Sequence, residues 1–345
     1  RRGPALTAQP NDFTVGIQYS GGGVSDPTYN SIAIDGLGDA WITNNPNTVS
    51  EFSSTGTPIS PSTGYTGGGT LNIVSGIAID LSGNAWIANY NGNSVTELNS
   101  SGGLVGSYNP TGLAGAYGLA IDGSGYIWVS TLKSPFSVTR LDGSGVVQPG
   151  FPFTTGLTSP RSLAIDGTGN AWVASKTSIV ELSVAGIQVG LSPFTGNGLN
   201  VPYSIAMDNS GDAWVVNQSG VTPSVSEFTS SGSAVSGSPF TAGGVNTPDA
   251  IAIDGAGNAW VGNSGQNNGN SSVSEFSNGG TALSPANGFV PAGVHKCVAI
   301  AVDGSGNVWV ADPNETAVTE LIGAATPVVT PLSVGVKNHS LGTRP

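Results

Sequence analysis

One twelve-residue unit recurs seven times along this chain, and that repetition constrains the fold more than any other feature. The copies are SIAIDGLGDAWI (31–42), GIAIDLSGNAWI (76–87), GLAIDGSGYIWV (118–129), SLAIDGTGNAWV (162–173), SIAMDNSGDAWV (204–215), AIAIDGAGNAWV (250–261) and AIAVDGSGNVWV (299–310). Every tryptophan in the protein belongs to a copy, six residues after an aspartate: Asp35/Trp41, Asp80/Trp86, Asp122/Trp128, Asp166/Trp172, Asp208/Trp214, Asp254/Trp260 and Asp303/Trp309. Successive aspartates lie 42 to 49 residues apart. A period of this length is that of one propeller blade, a unit too small to bury its own apolar face and therefore stacked against its neighbours.

Within a unit the pattern reads as strands. Ile32-Ala33-Ile34 alternates bulky residues with an alanine that recurs in all seven copies, so one face packs and the other permits close approach. Asp-x-x-Gly supplies a turn, because Asp bonds backbone N–H groups ahead of it and Gly accepts positive φ. A second strand carries the Trp. A third reads Val-Ser/Thr-Glu-Phe/Leu, with Glu51, Glu97, Glu181, Glu227, Glu275 and Glu320 at one position and Arg140 at the seventh. A Ser/Gly turn and a weaker fourth strand follow. The fold class expected is all-β: a seven-bladed β-propeller of four-stranded antiparallel blades over residues 13–332, with an N-terminal arm at 1–12 and a C-terminal arm at 333–345, both arms expected to fray. Two strands, Phe13 to Tyr19 and Thr326 to Pro331, compete for the fourth place in blade seven. The surplus one is expected either to lie as a surface tail or fifth strand on its own blade, or to offer an edge for β-addition to another protein or to copies of the same chain.

The motif A-[IV]-D-x-x-G-[ND]-x-W-[IV] followed by S-V-[ST]-E-[FL] resembles NHL-type repeats and the related propellers of the virginiamycin B lyase group, over about residues 13 to 332. It lacks the Trp-Asp dipeptide of WD40 blades. Resemblance to the lyase group implies a Tyr, paired His and Glu residues and a magnesium ion at the channel mouth. Only Tyr117, Tyr203 and His295 offer themselves for those places, and His339 lies in the tail.

Chemistry is sought where the repeat stops repeating. Five residues before each repeat Asp, at the channel mouth, stand Asn30, Ser75, Tyr117, Arg161, Tyr203, Asp249 and Val298. Asn30, Tyr117, Arg161, Tyr203 and Asp249 are the candidate ligand-binding residues, since stacking and paired charge suit a polar ligand. The alternative is that they simply plug the channel. The repeat aspartates and tryptophans are read as structural, and no metal site is expected, because the repeated position brings one Asp per motif, set among glycines, where calcium needs several oxygens. No catalytic residue or cofactor is assigned. In His295-Lys296-Cys297 adjacent side chains of an extended segment point apart, so no nucleophile–base pair is expected.

Composition narrows the partners. A net charge of −12, with only 9 Lys and Arg scattered among 345 residues, argues against nucleic acid. No apolar run is long enough to insert in a membrane as a helix. One cysteine excludes an intrachain disulfide framework. The Asn/Ser/Thr-rich, lysine-poor composition points to a processed secreted chain, extracellular or on the cell surface. The expected function is that of a non-enzymatic interaction or structural module, polymerising into a filament through a terminal strand. The alternatives are a lyase-type enzyme, or a carbohydrate- or peptide-binding propeller using the mouth.

Overall fold

A computed structural model of the protein describes residues 16–25, 31–218, 222–265, 271–291 and 294–345. Seven antiparallel sheets follow one another along the chain, one per repeat. In blade 4, for example, Leu163–Ile165 pairs with Ala171–Ser175, which pairs with Ser178–Leu182, which pairs with the short Phe194–Thr195. The second strand is wholly buried in all seven blades, which is why it carries the largest side chain.

The repeated Asp and Trp form one device. In each blade the Trp Nε1–H donates to Oδ2 of its Asp. The distance is 2.9 Å from Trp128 to Asp122, 3.1 Å from Trp86 to Asp80, and 3.2 Å from Trp41 to Asp35 and from Trp260 to Asp254. Trp172, Trp214 and Trp309 fall between these limits. The other oxygen, Oδ1, takes two backbone N–H groups of the turn, as Asp166 does from Thr168 at 2.8 Å and Asn170 at 2.9 Å. The turn glycine that follows sits at φ values such as 91° for Gly169, a conformation that penalises any side chain. A buried indole N–H and a tight turn are thereby satisfied by one carboxylate.

Each Trp packs forward onto the next blade. Trp41 of blade 1 lies against Val74, Ile77 and Ile87 of blade 2, and Trp86 of blade 2 against Ala116, Ile121 and Val129 of blade 3. Trp128 of blade 3 meets Leu163, Ile165 and Val173 of blade 4, and Trp260 of blade 6 meets Ile300, Val302 and Val310 of blade 7. Trp309 of blade 7 meets Ile34 and Ile42 of blade 1, so the core is a closed ring of blade interfaces. An aromatic residue from the fourth-strand region of the same blade covers the indole: Tyr108 stacks on Trp86 at 5.4 Å between ring centres, and Phe289 on Trp260 at 6.1 Å.

Fourth strands are reduced. Leu104–Tyr108 is a full strand in blade 2, whereas blades 1, 3, 5 and 6 keep only isolated bridges such as Val225–Phe240 and Phe228–Ala234. Prolines such as Pro152 and Pro239 in these segments have no N–H to give a ladder. In blade 7 the competition is decided for the N-terminal side. Gly16–Tyr19 pairs antiparallel with Ala317–Leu321, and the Tyr19 hydroxyl donates to Glu320 Oε2 at 2.9 Å. Residues 13–15 of the expected strand lie outside the described residues.

The C-terminal side goes elsewhere, and the expected fraying of 333–345 is corrected. Thr326 N–H donates to Asp254 Oδ2 and Val328 N–H to the Asp303 carbonyl. The helix Leu332–Lys337 then crosses the turn end of the channel, with the Ser333 hydroxyl on the Ile79 carbonyl at 2.8 Å. Beyond it, the His339 ring Nδ1 meets the Gly167 carbonyl at 2.8 Å. Val328 and Val336 are buried, and that buried apolar surface is what holds the arm down.

Candidate functional site

The seven first strands line a central cavity of about 280 Å³. Its wall is Ile, Leu, Val and the recurring Ala, and its floor is Val328, Pro331, Leu332, Ser333, Val336 and Leu341 of the C-terminal arm. The channel is therefore blind at the turn end. At the opposite end Ser75, Tyr117, Arg161, Tyr203, Asp249 and Val298 all border the cavity; Asn30 lies outside the described residues. The repeat tryptophans stay out of this site. Trp41, Trp86, Trp128, Trp172, Trp214, Trp260 and Trp309 are all buried between blades and none borders the cavity, so their part is structural.

Of the five candidates, four come together here, from blades 3 to 6. The Tyr117 hydroxyl stands within reach of Tyr203 and of the Arg161 guanidinium. Burial, reinforced by Tyr203 and opposed by Arg161, pushes that phenol well above its ordinary range. The Arg161 guanidinium also lies over the Tyr203 ring, 4.7 Å from its centre. Tyr90 meets Tyr117 edge-on at 6.3 Å, and Lys133 caps Tyr90 at 4.4 Å. Asp249 is 6% exposed. Burial raises its carboxyl to about 6, against hydrogen bonds from Gln218 and Ser264 and the positive charges of Lys296 and Arg161. The mouth is thus a polar, aromatic collar with two cations and one carboxyl poised near neutrality.

Beside Lys296 sits a pair that motif reading missed. His295 Nδ1 is 2.7 Å from Glu315 Oε1, and the backbone N–H groups of His295 and Lys296 both donate to Asp312 Oδ2, the latter at 3.1 Å. Glu315 fixes the tautomer that leaves Nε2 as the proton acceptor. Glu315 falls in a variable loop with no repeat partner, and Asp312 ends the second strand where the other blades carry Asn, Ser or Thr, so nothing in the spacing marked the pair. Cys297, by contrast, is fully buried and its thiol is pushed well up by burial, so it is no nucleophile.

The donor set at the mouth does not fit a magnesium ion. Asp249 is committed to Gln218 and Ser264, Asp312 to two backbone N–H groups, and Glu315 to His295. Among the described residues the groups of three carboxylates close enough to share an ion are Asp35, Asp39 and Glu51 in blade 1 and Asp208, Asp212 and Glu227 in blade 5. His339 stands on the arm at the opposite end.

No family model and no curated protein matches the chain. Solved structures do. Virginiamycin B lyase from Staphylococcus aureus is 16% identical, with a TM-score of 0.69 over 89% of this chain and 98% of that one. A streptogramin B lyase is 17% identical, with a TM-score of 0.71 over 89% and 96%. Hydrazine synthase from Kuenenia stuttgartiensis is 13% identical, with a TM-score of 0.67 over 87% and 96%. These likenesses establish the propeller fold. All three of these neighbours are enzymes, which runs against the expectation of a non-enzymatic chain.

Proposed function

We propose that the protein is a lyase-type propeller enzyme that takes a peptide-like substrate at the channel mouth. The observation that carries this reading is the convergence of Tyr117, Arg161, Tyr203 and Asp249 on one end of an otherwise blind channel. The virginiamycin B lyase fold, solved also as an inactive variant with quinupristin, supports the substrate class.

A lyase breaks a bond by elimination: a base removes a proton, the electron pair forms a double bond, and the leaving group departs with its own pair. His295, oriented by Glu315, supplies a base whose Nε2 faces away from its partner. Arg161 and Lys296 supply positive charge for the oxygen on which negative charge develops, and the tyrosines supply stacking faces and hydroxyl donors.

Incubation with quinupristin, followed by mass spectrometry and by ultraviolet absorbance for a new conjugated double bond, tests the proposal. Cleavage that falls by about 100-fold or more in His295→Ala, with binding retained, is the expected result. Binding without cleavage in the unmodified protein would reduce the site to a peptide-binding collar. Neither binding nor cleavage would remove this reading.

A further inference from the structure

We propose that Asp208, Asp212 and Glu227 of blade 5 form a binding site for a hard divalent cation of the calcium class, at the end of the channel opposite the mouth. The seven blades themselves make the comparison that points to it. In blades 2, 4 and 6 the residue after the turn glycine is Asn, and its Nδ2 donates to the third-strand glutamate: Asn84 to Glu97 Oε1 at 2.8 Å, Asn170 to Glu181 Oε1 at 3.0 Å, Asn258 to Glu275 Oε1 at 3.3 Å. In blade 3 the glutamate is replaced by Arg140, whose guanidinium binds Asp122 Oδ2 at 2.8 Å. Each of these blades places a donor or a cation between the aspartate and the third strand.

Blade 5 has neither. Asp212 stands where the Asn would be, and one oxygen from each of Asp208, Asp212 and Glu227 lies within 4.8 Å of the others. Asp212 Oδ1 accepts the Ser230 N–H at 3.1 Å, and Asp208 Oδ2 accepts the Trp214 indole at 3.1 Å and Asn278 Nδ2 at 3.4 Å. Glu227 is 2% exposed, and its Oε2 has no hydrogen-bond partner at all. A buried carboxylate with an orphaned oxygen, standing beside two more carboxylates, is a strongly unfavourable arrangement unless positive charge lies among them. Burial and the two aspartates accordingly push the Glu227 carboxyl up to about 8.

The donor set selects the ion. Three carboxylates and no nitrogen or sulfur favour a hard cation. A buried cage suits calcium, which accepts many protein oxygens in irregular geometry, better than magnesium, which holds on to its waters. Blade 1 gathers Asp35, Asp39 and Glu51 in the same way, but the Tyr65 hydroxyl donates to Glu51 Oε2 at 2.7 Å, where blade 5 has Phe240 on the fourth strand. Blade 1 is the weaker site of the two. In blade 7 Glu320 Oε1 is also unpartnered, yet Asn307 donates to Asp303 there and only two carboxylates meet.

Terbium luminescence excited through tryptophan tests the site on the full chain, since Trp214 bonds directly to one ligand. Saturable emission displaced by calcium is expected, together with a rise in Tm of about 5 °C at a calcium concentration 100 times Kd. In Asp212→Asn, which restores the residue found in blades 2, 4 and 6, the stronger binding phase and most of the Tm rise should vanish, and the ion-free variant should melt no lower than the ion-free wild type. Glu227→Gln should lose the same phase. Absence of ion binding in the wild type, or equal binding in both variants, would overturn the site. An equal response to magnesium chloride would overturn its assignment to calcium.

Discussion

The two ends of the channel are built from the same seven strands and follow opposite rules. At the turn end every blade repeats itself: an Asp, a glycine at positive φ, and a Trp bonded back to the Asp. At the mouth, only a few residues upstream, the blades offer Ser75, Tyr117, Arg161, Tyr203, Asp249 and Val298, no more than two alike. Repetition here is architecture, because a sevenfold ring needs the same interface seven times. Divergence is freed from that demand, and it is at the divergent end that the collar of cations, phenols and a near-neutral carboxyl collects.

Changes to the repeated tryptophans and the buried groups that hold them should be costly and should leave the chemistry of the mouth untouched. Trp172→Ala, which empties a fully buried indole site, should lose about 3–5 kcal/mol in chemical denaturation. If it left stability intact and altered only ligand binding, the division between the ends would fail. Arg140→Met should cost about 3 kcal/mol, because Asp122 is left buried without its cation. The double variant Arg140→Glu, Tyr126→Asn, which rewrites blade 3 in the majority pattern, should recover much of that loss. Ser333→Ala should cost only about 1 kcal/mol and raise hydrogen exchange in the C-terminal arm alone.

A pH effect acts through the third-strand glutamates. Glu275 and Glu320 are raised to about 7, by burial first and then by the repeat aspartates beside them, Asp254 and Asp303. A carboxyl with its folded value raised holds its proton more tightly when folded, so its contribution is present below the ordinary carboxylate range and lost as pH rises through about 7. Tm should therefore fall between pH 5 and pH 8, and Glu320→Gln should flatten the fall.

Much of the fold could be read from the chain because a repeated motif averages out local ambiguity. The blade count, the turn chemistry of Asp166 or Asp254 and the interior place of every Trp, Trp86 and Trp260 as much as Trp172, follow from spacing and periodicity alone. The fate of residues 326–345 did not, because docking depends on the shape of an assembled channel end that no local pattern encodes. At the mouth, position relative to the repeat was enough to single out Tyr117, Arg161, Tyr203 and Asp249. Glu315 and the grouping of Asp212 with Glu227 stayed hidden for a different reason. They are brought to their partners across hairpins: the blade 5 motif shows Asp208 and Asp212, and Glu227 joins them only when the third strand pairs back on the second.

The central claim, that function resides at the divergent mouth, is tested most directly by isothermal titration of quinupristin into the wild type and Arg161→Met, with Tm measured on the same samples. An affinity reduced by about tenfold or more in the variant, at a Tm unchanged within about 2 °C, is the predicted result. Equal affinity in both proteins, at equal stability, would contradict it.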